Sequence, residues 1–419
     1  MVSPDPAIVR CCIVCSHELE PGSLSFDDLP VCNDFSMQTD VSSRTHRLEM
    51  SVCAQCGLVQ LSDFPDADLI RPRLPWIAYN EPGVHLDALS RQIAGRLGLQ
   101  AESLVLGLGC FDAPLLDRFR LAGMWVDDID LRAEAGFAAQ DSGASYPYLE
   151  TLQGLLRSQV LEPVTKRTGA ADLVCCRYLL EHCADPIGAL KAMAAMTRKG
   201  GALFIEVPDA SKFLARCDYS FIWEEHVSYF TEDSLTACMQ AAGLRVLECI
   251  RINGALEDAL AVLLVKDDSA DTRRVVLRDS AESSVVRFEH YRQAFPAIQA
   301  RYHELLDRRR QDGDIAVFGA GHQAIMFVNA LGLQTFFSCV VDDAPNKLDY
   351  RIPGPRIPIV RSSVLCDADT LIRTCLLTVN PNVERRVMEN CAAFRKRGGS
   401  WFSIFPSSSS PTLLNMAGQ

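Results

Sequence analysis

The chain lacks any surplus of positive charge. Its 41 lysines and arginines face 53 acidic residues, a formal net charge of −12. Nonspecific attraction to nucleic acid or to an anionic membrane is therefore disfavoured. An anionic small molecule remains open as a partner, because one local basic pocket suffices. No apolar run is long enough to span a bilayer. The opening residues, MVSPDPAIVRCC, lack a basic segment followed by an apolar core, so no signal peptide is expected. A cytoplasmic protein with no membrane or nucleic-acid partner is the resulting expectation. The 17 cysteines do not read as a disulfide framework, since the number is odd and no secretory signal precedes them. Hydrophobic content of 48% with 22% charged residues is ordinary for a globular chain, and 419 residues allow two or three domains.

Four of the cysteines stand apart. Cys12-x-x-Cys15 is followed, after a polar loop, by Cys53-x-x-Cys56 and Gly57. Two such turns can place four thiolates tetrahedrally around one Zn2+, and a closed four-thiolate site is structural because no ligand position stays exchangeable. Cys11 is an alternative ligand with poorer spacing, and His17 and His46 are lesser ones. Cys175, Cys176, Cys249 and Cys375 lie in apolar runs and read as small buried hydrophobes.

Residues 65–82 are rich in Pro, Asp and Arg, as a connector would be. They end in PWIAYNEPGVH, which brings Trp76, Tyr79, Asn80, Glu81 and His85 together before an amphipathic helix over 86–97. Such a loop can belong to a site or can simply staple the helix start. From there strands and helices alternate. SLVLGL (103–108) suits a buried parallel strand, GLGCFDA (107–113) a glycine-containing turn, and MWVDDID (124–130) a second strand ending in acid. A glycine turn after strand one admits a ligand to the backbone, and an acid ending strand two can take ribose hydroxyls. This much would equally hold a dinucleotide. ADLVCCR (171–177) and KGGALFIEVP (199–208) continue the sheet. LRVLECIRI and LAVLLVK, joined by a loop starting Asn-Gly, read as an antiparallel hairpin. A mostly parallel sheet ending in such a hairpin points away from the dinucleotide dehydrogenases.

Between strand five and a helix capped at Thr231 lies DYSFIWEEHVSYF (218–230). Two acids, Glu224 and Glu225, adjoin His226 among Tyr219, Trp223, Tyr229 and Phe230. Aromatic walls exclude water, and a neighbouring carboxylate can fix an imidazole's tautomer, which are the needs of a general base. A partly buried loop whose histidine only satisfies a hydrogen bond is the plainer reading. Farther on, a long helix over about 283–310 leads to DIAVFGAGHQ, a strand and turn that set Gly319 and Gly321 at a helix N-terminus suited to phosphate. The next strand ends in Asp342 and Asp343.

In this order the pieces resemble the S-adenosylmethionine-dependent sugar C-methyltransferases, from Cys12 to about Pro406. The resemblance implies an α/β chain of three parts. These are a zinc-binding module (1–65), a class I methyltransferase domain with a Rossmann-like sheet (66–268), and a second Rossmann-like α/β domain (269–419) that helps bind the nucleotide part of the substrate. Enzymes of this family methylate a carbon beside the ketone of a nucleotide-linked keto-deoxysugar. The implied cofactors are S-adenosylmethionine and structural Zn2+. The resemblance places the donor against Gly107, Gly109, Cys110, Asp130, Tyr178 and Leu179. It makes His226 the base, with Glu225 orienting it, and Glu181-His182 a recurrent pair in which His182 is structural. Gly319, Gly321, Asp342 and His85 are the expected substrate contacts.

Three departures qualify it. Gly107 stands where an acid usually ends the first strand, and Phe111 and Ala113 replace two glycines. Trp223 stands where the family keeps a catalytic tyrosine, and an indole N–H donates but is neither acid nor base. Tyr79, Tyr219 or Tyr229 could supply the missing phenol. A different, non-sugar acceptor or a decayed ligand-binding protein are the remaining readings.

Overall fold

The computed structural model describes residues 10–20, 22–37, 44–63, 65, 67–70, 83–109, 111–135, 153–266 and 278–415. Tyr79 and Cys110, expected in the site, lie outside them.

The first unit is a small antiparallel sheet of β1 (Leu24–Pro30), β2 (Thr45–Val52) and β3 (Val59–Asp63). The CxxC turns precede β1 and connect β2 to β3, so the strands hold both cysteine pairs at one end.

The second unit begins with α1 (Val84–Leu97), β4 (Leu104–Gly107), α2 (Ala113–Leu121) and β5 (Trp125–Asp128). It continues with α3 (Ser158–Thr168), β6 (Ala171–Arg177), α4 (Pro186–Ala195) and β7 (Thr197–Asp209). A two-residue strand β8 (Ser228–Tyr229), α5 (Glu232–Ala241), β9 (Leu244–Ile252) and β10 (Asp258–Lys266) close it. The order across the six-stranded sheet is β9-β10-β7-β6-β4-β5, parallel except for β10, which runs against both neighbours. The expected hairpin is therefore present. In the middle of the sheet, strands 171–177 (but for Asp172) and 202–207 are buried, which explains why they read as continuous apolar runs rather than alternating ones. Asp130 falls beyond β5, which ends at Asp128.

The third unit starts with α6 (Arg278–Arg310) and a parallel five-stranded sheet. Its strands are β11 (Asp314–Phe318), β12 (Phe337–Val341), β13 (Ile359–Val360), β14 (Ile372–Leu377) and β15 (Ser400–Ser403), in the order β13-β12-β11-β14-β15. The helix α7 (His322–Ala330) follows β11 through the Gly-Ala-Gly turn.

The three units are stitched together. One core contains Phe26 and Leu48 of the first, Phe213 and Tyr219 of the second, and Phe288, Ile315 and Phe327 of the third. The strand β8 does not join the six-stranded sheet. It pairs with β3, Val59 opposite Tyr229 and Gln60 opposite Ser228, as the fourth strand of the N-terminal sheet. Ser36–Met37 likewise pairs with Tyr350–Arg351 of the third unit.

Candidate active site

The cysteine cluster is compact. Cys12, Cys15, Cys53 and Cys56 bring their sulfurs within 4.8 Å of one another, with Cys12–Cys56 at 3.5 Å and Cys15–Cys53 at 3.4 Å. In each turn the residue after the second cysteine is left-handed, Ser16 at φ 59° and Gly57 at φ 72°. That curl lets the backbone wrap one point, and the sulfur spacing is that of a tetrahedral four-thiolate zinc site. Cys11 is exposed and is not among the four.

At the end of β4 the glycine turn is organised by an acid that sequence reasoning missed. Asp112 is fully buried and its Oδ2 accepts the N–H groups of Leu108 and Gly109 at 2.9 and 2.7 Å. Burial pushes its carboxyl up to about 7, the two N–H groups and Arg177 pulling the other way. The Gly109 N–H is thus spent on Asp112 rather than offered to a ligand. Space is tight at both glycines: a Cβ on Gly107 would meet Leu116 at 2.5 Å and Asp112 at 3.0 Å, and one on Gly109 would meet the Arg177 carbonyl at 3.1 Å. Asp130 caps a short helix by accepting from Arg132 and Ala133, so Asp128 is the acid that ends the second strand beside Gly107. Tyr178, left-handed at φ 52°, hydrogen-bonds Glu206 at 2.9 Å. Leu179 is buried behind it. Arg177 and Glu206 form an ion pair at 2.6 Å with neither side chain exposed. A carboxylate fixed this way costs desolvation but holds both β6 and β7 at the end where the ligand edge lies.

The 218–230 segment crosses from the six-stranded sheet to the N-terminal one. Glu224 accepts the Cys32 N–H at 2.6 Å, and Asn33 reaches Glu225 at 3.5 Å. Leu61 N–H donates to the Val227 carbonyl at 2.9 Å. Both acids beside the histidine are therefore gripped by the zinc module. His226 lies edge-on to His182 with ring centres 4.8 Å apart, and 4.8 Å from the Trp223 indole. Glu181, His182 and His226 have polar atoms within 4.8 Å of one another. His182 is fully buried and hydrogen-bonded to the Glu225 backbone; burial brings it down to about 4. From the third unit, His322 at the start of α7 stacks on Trp223 at 4.5 Å and 8°. Burial, with His182 and His322 nearby, holds His226 well below the ordinary imidazole range, and burial brings His322 to about 3. All three rings are neutral at physiological pH, which is the form that accepts a proton.

The two described phenols of this segment are committed elsewhere. The Tyr229 hydroxyl donates to the Trp223 carbonyl at 3.0 Å and accepts the Trp223 N–H at 2.9 Å. Tyr219 donates to the Tyr291 carbonyl at 2.7 Å. Neither has a proton left for a substrate oxygen.

Around His226 is a small cavity of about 20 Å3, lined also by Pro208, Phe221, Ser228, Glu257 and His322. Glu257, in the β9–β10 loop, was not singled out by sequence. His85 sits apart from this lining, in the first turn of α1, a helix packed on α2. Gly319 is left-handed at φ 107° and a Cβ there would strike Thr378 and Val379 at 2.9 Å. Asp342 accepts the Ala320 N–H at 2.8 Å and Lys347 donates to the Ala320 carbonyl at 2.7 Å, so this carboxylate shapes the glycine turn. Gly321 caps α7, and a Cβ there would meet only Gln323 Oε1, at an ordinary contact distance of 3.7 Å.

Three family models match in sequence: a zinc binding domain over 12–70, a methyltransferase domain over 87–249 and a C-methyltransferase C-terminal domain over 271–406. The chain thus carries, in this order, a zinc binding domain, a methyltransferase domain and a C-methyltransferase C-terminal domain. It is an S-adenosylmethionine-dependent methyltransferase. The C-methyltransferase NovU of Streptomyces niveus is 26% identical across 94% of this chain and 95% of its own. The ubiquinone biosynthesis O-methyltransferase of Xanthomonas oryzae is 34% identical over 33% of this chain and about half of its own length, 54%. Among solved structures, the Burkholderia thailandensis 1,6-didemethyltoxoflavin-N1-methyltransferase is similar at a TM-score of 0.30 and 16% identity, covering 45% of this chain and 80% of that one. Among the described residues no helix is long and apolar enough to cross a membrane.

Proposed function

We propose that the chain transfers a methyl group to a carbon beside a ketone, the acceptor being a nucleotide-linked keto-deoxysugar. The methyl of S-adenosylmethionine is already activated by its sulfonium, so the protein must position it and make the acceptor carbon nucleophilic. His226, neutral and facing the cavity, takes the proton from that carbon. The C–H electron pair passes to the carbonyl oxygen as an enolate, and the carbon then displaces the methyl from sulfur in line. Glu225, held by the zinc module, orients the imidazole. Gly107, Tyr178 and Leu179 line the donor side, where Asp128, ending β5 beside Gly107, is the acid for ribose. Gly319 and Gly321 open α7 toward the diphosphate, with Asp342 holding the turn in shape.

The observation that carries this reading is the place of His226, at a cavity lined both by Pro208 of β7 and by His322 of α7. Support for the sugar comes from the family's C-terminal domain. Calorimetry with thymidine diphosphate tests it: the nucleotide should bind more tightly than inorganic pyrophosphate. Equal binding would remove the sugar nucleotide and leave C-methylation of another ketone. Trp223, in the place of the family's tyrosine, is the feature that favours that second reading.

A further inference from the structure

Three acids cluster where β7 meets the β9–β10 loop, and they are treated differently. Asp209 pairs with Arg251, and Asp258 pairs with Lys212 while also accepting the Gly254 N–H at 3.1 Å. Glu257, half-buried and next to both, makes no ion pair or hydrogen bond through its carboxyl among the described residues. It turns instead into the cavity that His226 and His322 share. A cation-free carboxyl in such a place is neutralised most cheaply by keeping its proton. Burial, with Asp209 and Asp258 beside it, raises Glu257 to about 7. The groups facing it act in the same direction. Glu181 from the turn after β6 is itself buried and raised, and the neighbouring rings, His226 and His322, are neutral.

A carboxyl that keeps its proton is a hydrogen-bond donor, and the site needs one. An enolate must be stabilised at oxygen by a donor placed in advance. The expected tyrosine is Trp223, and the phenols of Tyr219 and Tyr229 donate to backbone carbonyls. We propose that the Glu257 carboxyl donates the hydrogen bond to the acceptor's carbonyl oxygen as it becomes the enolate, in the role the missing phenol would have filled. This rests on the reading of His226 as the base. The Glu257 O–H bond is kept throughout: the proton removed from carbon goes to His226, the electron pair to the carbonyl oxygen, and that oxygen returns to carbonyl when the methyl is transferred. The use of a protonated acid as an oxyanion donor has precedent in ketosteroid isomerase.

The experiment uses the full-length zinc-loaded protein. Infrared difference spectra between wild type and Glu257→Gln should show, at about pH 6, a protonated-carboxyl stretch that titrates away as pH rises through about 7. Its absence would overturn the proposal whatever the acceptor. The second arm follows exchange of the carbon-bound proton of thymidine-diphosphate-linked 4-keto-6-deoxyglucose in heavy water. Glu257→Ala should lower the rate about 100-fold, the loss of one oxyanion donor. Glu257→Gln, which keeps a donor but cannot ionise, should stay within about 10-fold of wild type. It should also lose the decline in rate that wild type shows as pH rises through about 7. A purely structural role would not remove that decline. If Glu257→Ala exchanges as wild type does while His226→Asn does not, Glu257 is excluded and the base stands. If His226→Asn exchanges normally, the enolate reading fails, and the Glu257 assignment fails with it.

Discussion

The donor turn and the acceptor segment of this enzyme are built on opposite principles. The turn at 107–113 is made by its own sequence: Asp112 binds N–H groups three and four residues before it. The segment at 218–230 is held by residues far away, Glu224 by Cys32 and Glu225 by Asn33, each 192 positions distant. Its last strand is the edge of the zinc module's sheet, and its indole is covered by His322 of the C-terminal domain. One half of the reaction is thus housed in a single domain and the other is assembled from three. The lesson concerns the zinc. Far from this segment in sequence, the four-cysteine site closes the sheet that holds Glu224, Glu225 and His226 in place.

The largest effect should come from breaking that support. Cys53→Ser, or removal of zinc by a chelator, should lower enolisation at least about 100-fold, the scale of a misplaced catalytic group. S-adenosylmethionine affinity should fall less, because the hydrogen bonds of the donor turn are made within it, even though Cys53, Cys56 and Leu58 share a core with Leu106, Leu108 and Leu179. Calorimetry and proton exchange on one sample read both, and a matched fall in donor affinity would mean the two halves are not separable. The converse change is smaller. Asp112→Ala orphans the Leu108 and Gly109 N–H groups, which at about 1–3 kcal/mol for unmet buried donors should weaken donor binding about 10-fold or more. Exchange without donor should be untouched.

The smallest expected effect is in pH. His182 has a folded value near 4, below the ordinary 6.5, so the stability it contributes is present above 6.5 and lost as pH falls towards 4. Asp112 is raised from 3.8 to about 7, so its contribution is present below 3.8 and lost as pH rises through about 7. Hydrogen exchange should therefore show the acceptor segment loosening on acidification and the donor turn loosening on the alkaline side. The same pH response in both segments would contradict the division.

The contrast also explains what could be read from the sequence. The paired CxxC turns, the parallel strands, the closing hairpin and the Thr231 cap are signals within a few residues, and the structure has all of them. His226 and Glu225 were legible as a local constellation. Glu257 was not, because it reaches the cavity only through the folding of the β9–β10 loop, and nothing in NGALED separates it from the paired Asp258. Asp342 and Asp130 misled for a related reason. An acid after a strand can serve a ligand or its own loop, and only the bonds to Ala320 and to Arg132 and Ala133 decide which.

The central claim is that His226 removes the acceptor's proton in a site the three domains hold together. Proton exchange at the carbon beside the ketone of thymidine-diphosphate-linked 4-keto-6-deoxyglucose, compared between wild type and His226→Asn, tests it most directly. The account predicts exchange in wild type, none above the uncatalysed rate in His226→Asn, and equal S-adenosylmethionine binding in both. Undiminished exchange in His226→Asn would contradict it.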